Sequence, residues 1–124
     1  MINLPPAQLR IVQRLLTAEV PECEVRAFGS RVTANAKPDS DLDLALRGPT
    51  KLPLARLIAL RAAFAQTELP IHVGVVDWRA ISENFRNIIA AKFEILQNPV
   101  LPDEESELLA QAIKENLREQ GYLG

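Results

Sequence analysis

The most constraining feature of this chain is the alternation of apolar and polar side chains over residues 41–47, which begin with Asp41 and end with Arg47. Successive side chains of a β-strand point to opposite faces, so three leucines share one face while Asp41 and Asp43 share the other. The leucine face predicts packing on a core. On the other face the two carboxylates lie about 7 Å apart along the backbone, close enough to share a bound metal ion. Aspartate is depleted in strands, so a merely solvated strand edge explains the pair poorly.

A Gly29-Ser30 pair follows a short segment, residues 24–28, whose alternation predicts another strand. Glycine permits close approach of a ligand to the backbone, and a helix that begins directly after a strand offers N–H groups to an anion. Ser30 adds a hydroxyl donor. Arg31 adds a guanidinium fork, although it could equally lie solvated on a short helix over residues 30–34. A Gly-Ser pair alone is also compatible with a plain turn.

The remaining pattern predicts alternating helices and strands. Helices are expected over residues 6–19, from Pro53 to about residue 66, and from Ser82 onward. The nearly continuous apolar run over residues 71–76 predicts a strand buried on both faces near the centre of the sheet. Residues 92–96 are expected to form a short edge strand.

Length and composition restrict the class of protein. A chain of 124 residues is the size of one domain. Its net charge of −2 gives no basic surface of the kind that draws proteins onto nucleic acid or anionic lipid, so we expect neither DNA, RNA nor a membrane as the main ligand. A single cysteine, no secretory signal and no apolar run of membrane-spanning length together predict a cytoplasmic protein.

Pro99 and Pro102 separate the body of the chain, residues 1–98, from a C-terminal extension, residues 99–124. Acidic residues early in this extension, basic residues later and a periodic apolar stripe predict an amphipathic helix. The stripe either closes over the core or contacts a partner or a second copy of the chain.

Over about residues 7–96 the chain resembles the minimal nucleotidyltransferases of the polymerase-beta-like superfamily, many of which are antitoxins of two-gene modules. The resemblance is carried by Ala27-Phe28-Gly29-Ser30-Arg31 and by Pro38-Asp39-Ser40-Asp41-Leu42-Asp43-Leu44. It implies an α/β (α+β) fold in which a small mixed sheet of three or four strands is flanked by helices. It also implies that Gly29, Ser30 and Arg31 bind the phosphates of ATP, and that Asp41 and Asp43 bind Mg²⁺ and are catalytic.

The chain departs from this family where the third catalytic carboxylate is expected, because that position is Gly74. Asp77 lies three residues further on and projects to the opposite face of a strand, so we expect it to cap a helix. His72 shares the face of position 74, but neutral imidazole is a poor Mg²⁺ ligand, and a histidine in an apolar strand is usually a hydrogen-bonded core residue. Trp78 and Phe85 are expected in the core. We therefore expect nucleotide binding to survive better than nucleotide transfer.

Three functions follow from the resemblance and the departure. The first is an antitoxin that binds a HEPN-type ribonuclease and transfers AMP from ATP to a tyrosine of that toxin. The second is a nucleotidyltransferase-like module that neutralises its partner by contact alone. The third is a free-standing transferase for a small-molecule hydroxyl, which the lack of an evident acceptor domain disfavours.

Overall fold

The computed structural model describes residues 2–99, which form three helices, four strands and one 3₁₀ turn. The order is α1 (Pro6–Glu19), β1 (Glu24–Phe28), the 3₁₀ turn (Gly29–Val32), β2 (Leu42–Arg47), α2 (Leu54–Ala65), β3 (Val73–Asp77), α3 (Glu83–Ala91) and β4 (Glu94–Gln97). The three main helices and four strands predicted within this range are present, although β3 and β4 each begin two residues later than expected. The predicted C-terminal helix lies outside the described residues, and the proposed division after residue 98 falls at their limit.

Local chemistry explains where the helices begin and end. Pro6 occupies the start of α1, where the missing N–H of proline costs nothing, and Pro21 follows soon after the last helical turn. Pro53 precedes α2 in the same way. Ser82 caps α3, since its hydroxyl oxygen accepts a hydrogen bond from the Phe85 N–H at 3.1 Å.

The four strands form one mixed sheet in the order β3-β2-β1-β4. β1 is antiparallel to both β2 and β4, whereas β2 and β3 are parallel. The edge position predicted for β4 is confirmed. The central position predicted for β3 is wrong, because β3 lies at the opposite edge. Its apolar character reflects packing against α2, where Val73 and Val75 are buried. A continuous apolar run does not distinguish an edge strand covered by a helix from a strand at the centre of a sheet.

The core lies between one face of the sheet and helices α1 and α2. Leu42, Leu44 and Leu46 of β2 are completely buried there, together with Leu16 of α1 and Leu60 of α2. Burial of each such leucine contributes roughly 1.5–3 kcal/mol to folding. The opposite face carries the polar members of β2 and is only partly covered. None of the helices within residues 2–99 has the length and apolarity needed to cross a bilayer.

Candidate nucleotide site

Asp43 lies near the start of β2, on the partly covered face of the sheet. Its register partners are Phe28 on β1 and Gly74 on β3. A Cβ atom built on Gly29 would lie 2.6 Å from Asp43 Oδ2, and one built on Gly74 would lie 3.2 Å from Asp43 Oδ1. The carboxylate of Asp43 is therefore held between two glycine backbones contributed by distant parts of the chain.

The Gly29 backbone turns sharply between β1 and the 3₁₀ turn. Its φ of 77° lies in the left-handed region, which glycine adopts without steric cost. The predicted helix over residues 30–34 is a 3₁₀ turn that ends at Val32. Such a short element has little macrodipole, so an anion at this turn would depend on individual N–H and hydroxyl groups rather than on a helix dipole.

Asp41 lies just before β2, on the same side as Asp43, and is exposed to solvent. His72 Nδ1 lies 3.6 Å from Asp41 Oδ2, and the His72 side chain is 74% exposed. The prediction that His72 is a core residue is therefore wrong. It immediately precedes β3, and the Leu42 N–H donates to the His72 carbonyl at 3.0 Å, which holds the His72 backbone beside the start of β2.

The two aspartates form an electronegative site. Burial raises the pKa of Asp43 above its ordinary value, and the negative charge of Asp41 raises it further, whereas His72 opposes this effect. A bound cation would relieve both the desolvation and the repulsion. Within residues 2–99 no three histidine, cysteine, aspartate or glutamate side chains are grouped to hold a metal ion. Two carboxylates nevertheless fit Mg²⁺, which usually takes one or two from the protein and fills its shell with water and substrate phosphates.

Arg31 has a different position from the one expected. Only 3% of the residue is exposed, so the alternative of a solvated side chain is wrong. Its guanidinium donates to the carbonyls of Asn3 at 3.1 Å, Pro38 at 3.1 Å and Ser40 at 2.7 Å. Because the fork is engaged by backbone carbonyls, the structure does not support the predicted contact of Arg31 with phosphate. Arg31 instead fixes the loop that leads directly into Asp41.

Asp77 is also structural. It is 2% exposed, and its carboxylate accepts from the Leu52 N–H at 2.8 Å and from the Arg79 N–H at 3.0 Å. It does not cap α3, so that prediction is wrong, and it instead fastens the segment before α2 to the end of β3. Alternation along β3 puts Asp77 on the face opposite Gly74, so Asp77 does not replace the missing third carboxylate.

A cavity of about 520 Å³ adjoins the Gly29-Ser30 turn and was not anticipated from the sequence. It is bounded by the turn, by the segment that follows it and by α3. Phe85, expected in the core, is only half-buried and lines this cavity. The periodic spacing of apolar residues predicts which side chains share a helix face, but it does not show how completely that face is covered. This explains why Phe85 was predicted to be a core residue.

Comparison with known proteins identifies the family. Residues 7–99 match the family model for the central palm domain of poly(A) RNA polymerase, mitochondrial-like. Over 96 residues the chain is 38% identical to the probable protein adenylyltransferase MntA of Haemophilus influenzae, a match that covers 77% of this chain and 84% of that protein. The chain belongs to the nucleotidyltransferase family that includes MntA.

Solved structures confirm the fold expected for this family. A crystal structure of a toxin-antitoxin with AMP-PNP superposes with a TM-score of 0.64 at 20% identity, over 90% of each chain. A second structure, tri-AMPylated Shewanella oneidensis HEPN toxin in complex with MNT antitoxin, gives a TM-score of 0.60 at 19% identity, over 92% of this chain and 89% of the matched chain. The predicted polymerase-beta-like nucleotidyltransferase fold, with its small mixed sheet flanked by helices, is confirmed.

Proposed function

We propose that this chain is the nucleotidyltransferase antitoxin of a two-gene module, which binds ATP with Mg²⁺ and neutralises a HEPN-type ribonuclease by transferring AMP to it. The identity to a probable protein adenylyltransferase supports this function, as does the shared fold with antitoxins in toxin complexes. The observation that carries the proposal is the placement of the Asp43 carboxylate against the Gly29 backbone, with Asp41 beside it. The proposal places the protein in the cytoplasm, together with the RNA that such a partner cleaves.

Each residue of the site has a specific task in this reaction. Gly29 and Ser30 hold the phosphates of ATP, and Asp41 and Asp43 hold Mg²⁺. Arg31 positions the loop before Asp41 through its bonds to Pro38 and Ser40 carbonyls. Bound Mg²⁺ supplies Lewis-acid stabilisation of the charge on the phosphates. An acceptor hydroxyl oxygen forms a bond to the α-phosphorus while the bond from that phosphorus to pyrophosphate breaks, and the hydroxyl proton is released to solvent.

Gly74 favours a second candidate function, neutralisation by contact alone. It occupies the position where the family carries a third carboxylate, and its Cβ position lies 3.2 Å from Asp43 Oδ1. In the family this carboxylate helps to bind the metal that activates the acceptor oxygen. Its loss affects the acceptor side of the reaction and leaves Asp41 and Asp43 available for the metal that accompanies the nucleotide.

The test is transfer of labelled AMP to the partner. The chain is mixed with its cognate partner, which we expect to be a small helical protein encoded by a neighbouring gene, and with labelled ATP and Mg²⁺. We expect the label on the partner. In Asp43→Ala the rate of AMP transfer should fall sharply. Loss of a residue that only supports a metal ligand typically costs about 10–100-fold, and loss of the ligand itself should cost more.

Asp39→Ala is the matched control, because Asp39 is an exposed carboxylate in the loop just before the site. It should retain the wild-type rate. Undiminished labelling by Asp43→Ala would exclude the proposed site. Complete neutralisation of the partner by the wild-type chain without any labelling would favour the contact-only function.

A further inference from the structure

The outer edge of β3, the side that faces away from β2, lies next to the candidate site. Within residues 2–99 this edge pairs with no strand, because β3 ends the order β3-β2-β1-β4. The Leu42 N–H of β2 donates to the His72 carbonyl, so the even-numbered residues of this segment direct their backbone groups toward β2. Backbone groups alternate in direction along a strand. Those of Val73 and Val75 therefore project from the outer edge.

Arg61 of α2 confirms this direction and limits the open part of the edge. Its guanidinium donates to the Val75 carbonyl at 2.9 Å, which requires that carbonyl to point outward. This leaves the Val73 N–H and C=O and the Val75 N–H as the groups that a further strand can bond. Charged side chains commonly blunt an exposed sheet edge. Here Arg61 leaves room for a short added strand only.

A small cavity adjoins the open part of this edge. Its volume is about 150 Å³, which is enough for a benzene-sized group. Phe64 and Ala65 at the end of α2 line it together with Ile71 and Val73 at the start of β3. A strand added to a sheet directs alternate side chains to the two faces, and pockets for those side chains give such binding its specificity. A residue of an added strand that faces α2 would therefore place an apolar side chain in this cavity.

The next residue of an added strand would face the candidate site. Gly74 pairs with Asp43 and lies on the same face of the sheet. Neighbouring strands are about 4.8 Å apart, so a residue paired with Gly74 from outside would lie roughly 10 Å from the Asp43 backbone. Gly74 has no side chain to fill the space between that residue and the Asp43 carboxylate. A hydroxyl side chain at this position can reach the site across the Gly74 backbone.

The proposed reaction requires its acceptor on this side of Asp43. The attacking and leaving oxygens of phosphoryl transfer lie roughly in line across the phosphorus. Gly29 lies against Asp43 Oδ2 and Gly74 against Oδ1, so the two glycines mark opposite sides of the carboxylate. With the phosphates at Gly29 and Ser30, the acceptor hydroxyl approaches from the β3 side. A segment that extends the sheet beyond β3 would fix this direction.

We propose that the outer edge of β3 binds an extended segment of the protein that accepts AMP, as one added strand. The acceptor hydroxyl lies on the Asp43 face, and a neighbouring apolar side chain fills the 150 Å³ cavity. The inference rests on the proposed function, which it extends by naming how the acceptor is held. A second copy of this chain fits the edge less well, because pairing of two such edges would bring two Arg61 guanidinium groups into one interface.

Amide hydrogen exchange of the full chain, with and without its cognate helical partner, tests the added strand directly. The outward amides of Val73 and Val75 should exchange rapidly in the free chain. In the complex they should exchange roughly 3- to 10-fold more slowly, the scale of one hydrogen bond. The amides of Gly74 and Val76 face β2, should be protected in both states and serve as the internal control. Unchanged exchange at Val73 and Val75 on partner binding would overturn the proposal.

Val73→Pro removes an outward N–H and no bond to β2, a position in a sheet that tolerates proline. Val73→Ala is the matched control, because it also changes the buried side chain but keeps the N–H. Relative to Val73→Ala, Val73→Pro should raise the KM for the partner in AMP transfer roughly 3- to 10-fold. Both variants should bind ATP with Mg²⁺ equally well, which shows that the site itself is intact.

Ala65→Lys tests the cavity without altering the core, since Ala65 is exposed at the end of α2. Its charge should exclude an apolar side chain and raise the KM for the partner several-fold. Ala62→Lys is the matched control, because Ala62 is also exposed on α2 and does not line the cavity. It should leave the KM unchanged. Equal KM values for the two lysine variants would contradict the placement of a partner side chain in the cavity.

The outcomes separate this inference from the proposed function. If the wild-type chain labels the partner while Val73→Pro and Val73→Ala have the same KM, the edge assignment is wrong and the proposed function stands. If exchange at the edge slows with increasing chain concentration and no partner, the edge pairs two copies and the assignment is again wrong. If the wild-type chain transfers no AMP to the partner, the proposed transfer fails and this inference fails with it.

Discussion

Gly29 and Gly74 flank the same carboxylate, yet they are glycines for different reasons. Gly29 has a φ of 77°, and its Cβ position lies only 2.6 Å from Asp43 Oδ2. Among the glycines of the described residues, Gly29 alone has positive φ, so Gly74 has a backbone that any residue adopts. Its Cβ position lies 3.2 Å from Asp43 Oδ1, which is tight but tolerable after a small shift.

The comparison shows that the backbone can require glycine at one position and accept other residues at another. At position 29 the positive φ and the close approach of the Asp43 carboxylate both demand glycine. At position 74 the backbone would accept an aspartate, so the fold does not require glycine there. Substitutions at the two glycines and at the carboxylate between them test this difference.

The largest effect is expected from Gly29→Ala. Positive φ and the close carboxylate both oppose a methyl group, so we expect a loss of about 1–3 kcal/mol in the free energy of unfolding. The Asp43 carboxylate has to move, and the affinity for ATP with Mg²⁺ should fall at least about tenfold. Loss of a residue that only supports a metal ligand typically lowers metal affinity by about 10–100-fold, and displacement of the ligand itself should lower it at least as much. Urea denaturation and calorimetry measure the two quantities.

Gly74→Ala is the control for that substitution. It adds the same methyl group on the other side of Asp43, where no unusual backbone is involved. Its effects on unfolding and on binding should both be clearly smaller. Equal losses in the two variants would remove the distinction between the two glycines.

A moderate effect is expected from Gly74→Asp. It provides a third carboxylate on the face of Asp41 and Asp43, and the rate of AMP transfer to the partner should rise several-fold with Mg²⁺ present. The added charge next to Asp43 should also destabilise the metal-free protein. Gly74→Asn has nearly the same shape without the charge and should not raise the rate. A wild-type rate at least equal to that of Gly74→Asp would show that the third carboxylate is not limiting.

The smallest effect is expected from Asp43→Asn in the presence of a chelator. The pKa of Asp43 is raised in the folded state, chiefly by burial, so the stability that this side chain contributes when protonated is lost as pH rises through that pKa. At neutral pH the neutral asparagine should therefore raise the melting temperature by a few degrees. The difference should vanish at acidic pH, where the aspartate is protonated in both folded and unfolded states.

Asp39→Asn serves as the control in the same thermal measurements, since Asp39 is exposed and its substitution should change little. Added Mg²⁺ should stabilise the wild type more than Asp43→Asn, because only the wild type retains both carboxylates. A melting temperature that falls in Asp43→Asn at neutral pH would contradict the electrostatic strain assigned to this group.

The elements along the chain were well predicted because their signals are local. The bounds of α1 and β1 agree with the expected ranges 6–19 and 24–28, and Ser82 caps α3 as its position suggested. The same local information misled at His72, which was expected in the core and is exposed. A strand pattern indicates which side chains share a face, but it does not indicate whether another element covers that face.

The sequence by itself determined the alternation over residues 41–47, because the two-residue period of a strand follows from backbone sterics alone. It thereby determined that Asp41 and Asp43 share one face and that Leu42, Leu44 and Leu46 pack inward from the other. Only the tertiary structure decided that β3 is an edge strand and that Arg31 binds the Asn3 carbonyl, 28 residues away in sequence. Such contacts depend on how distant segments pack together, and no local pattern encodes them.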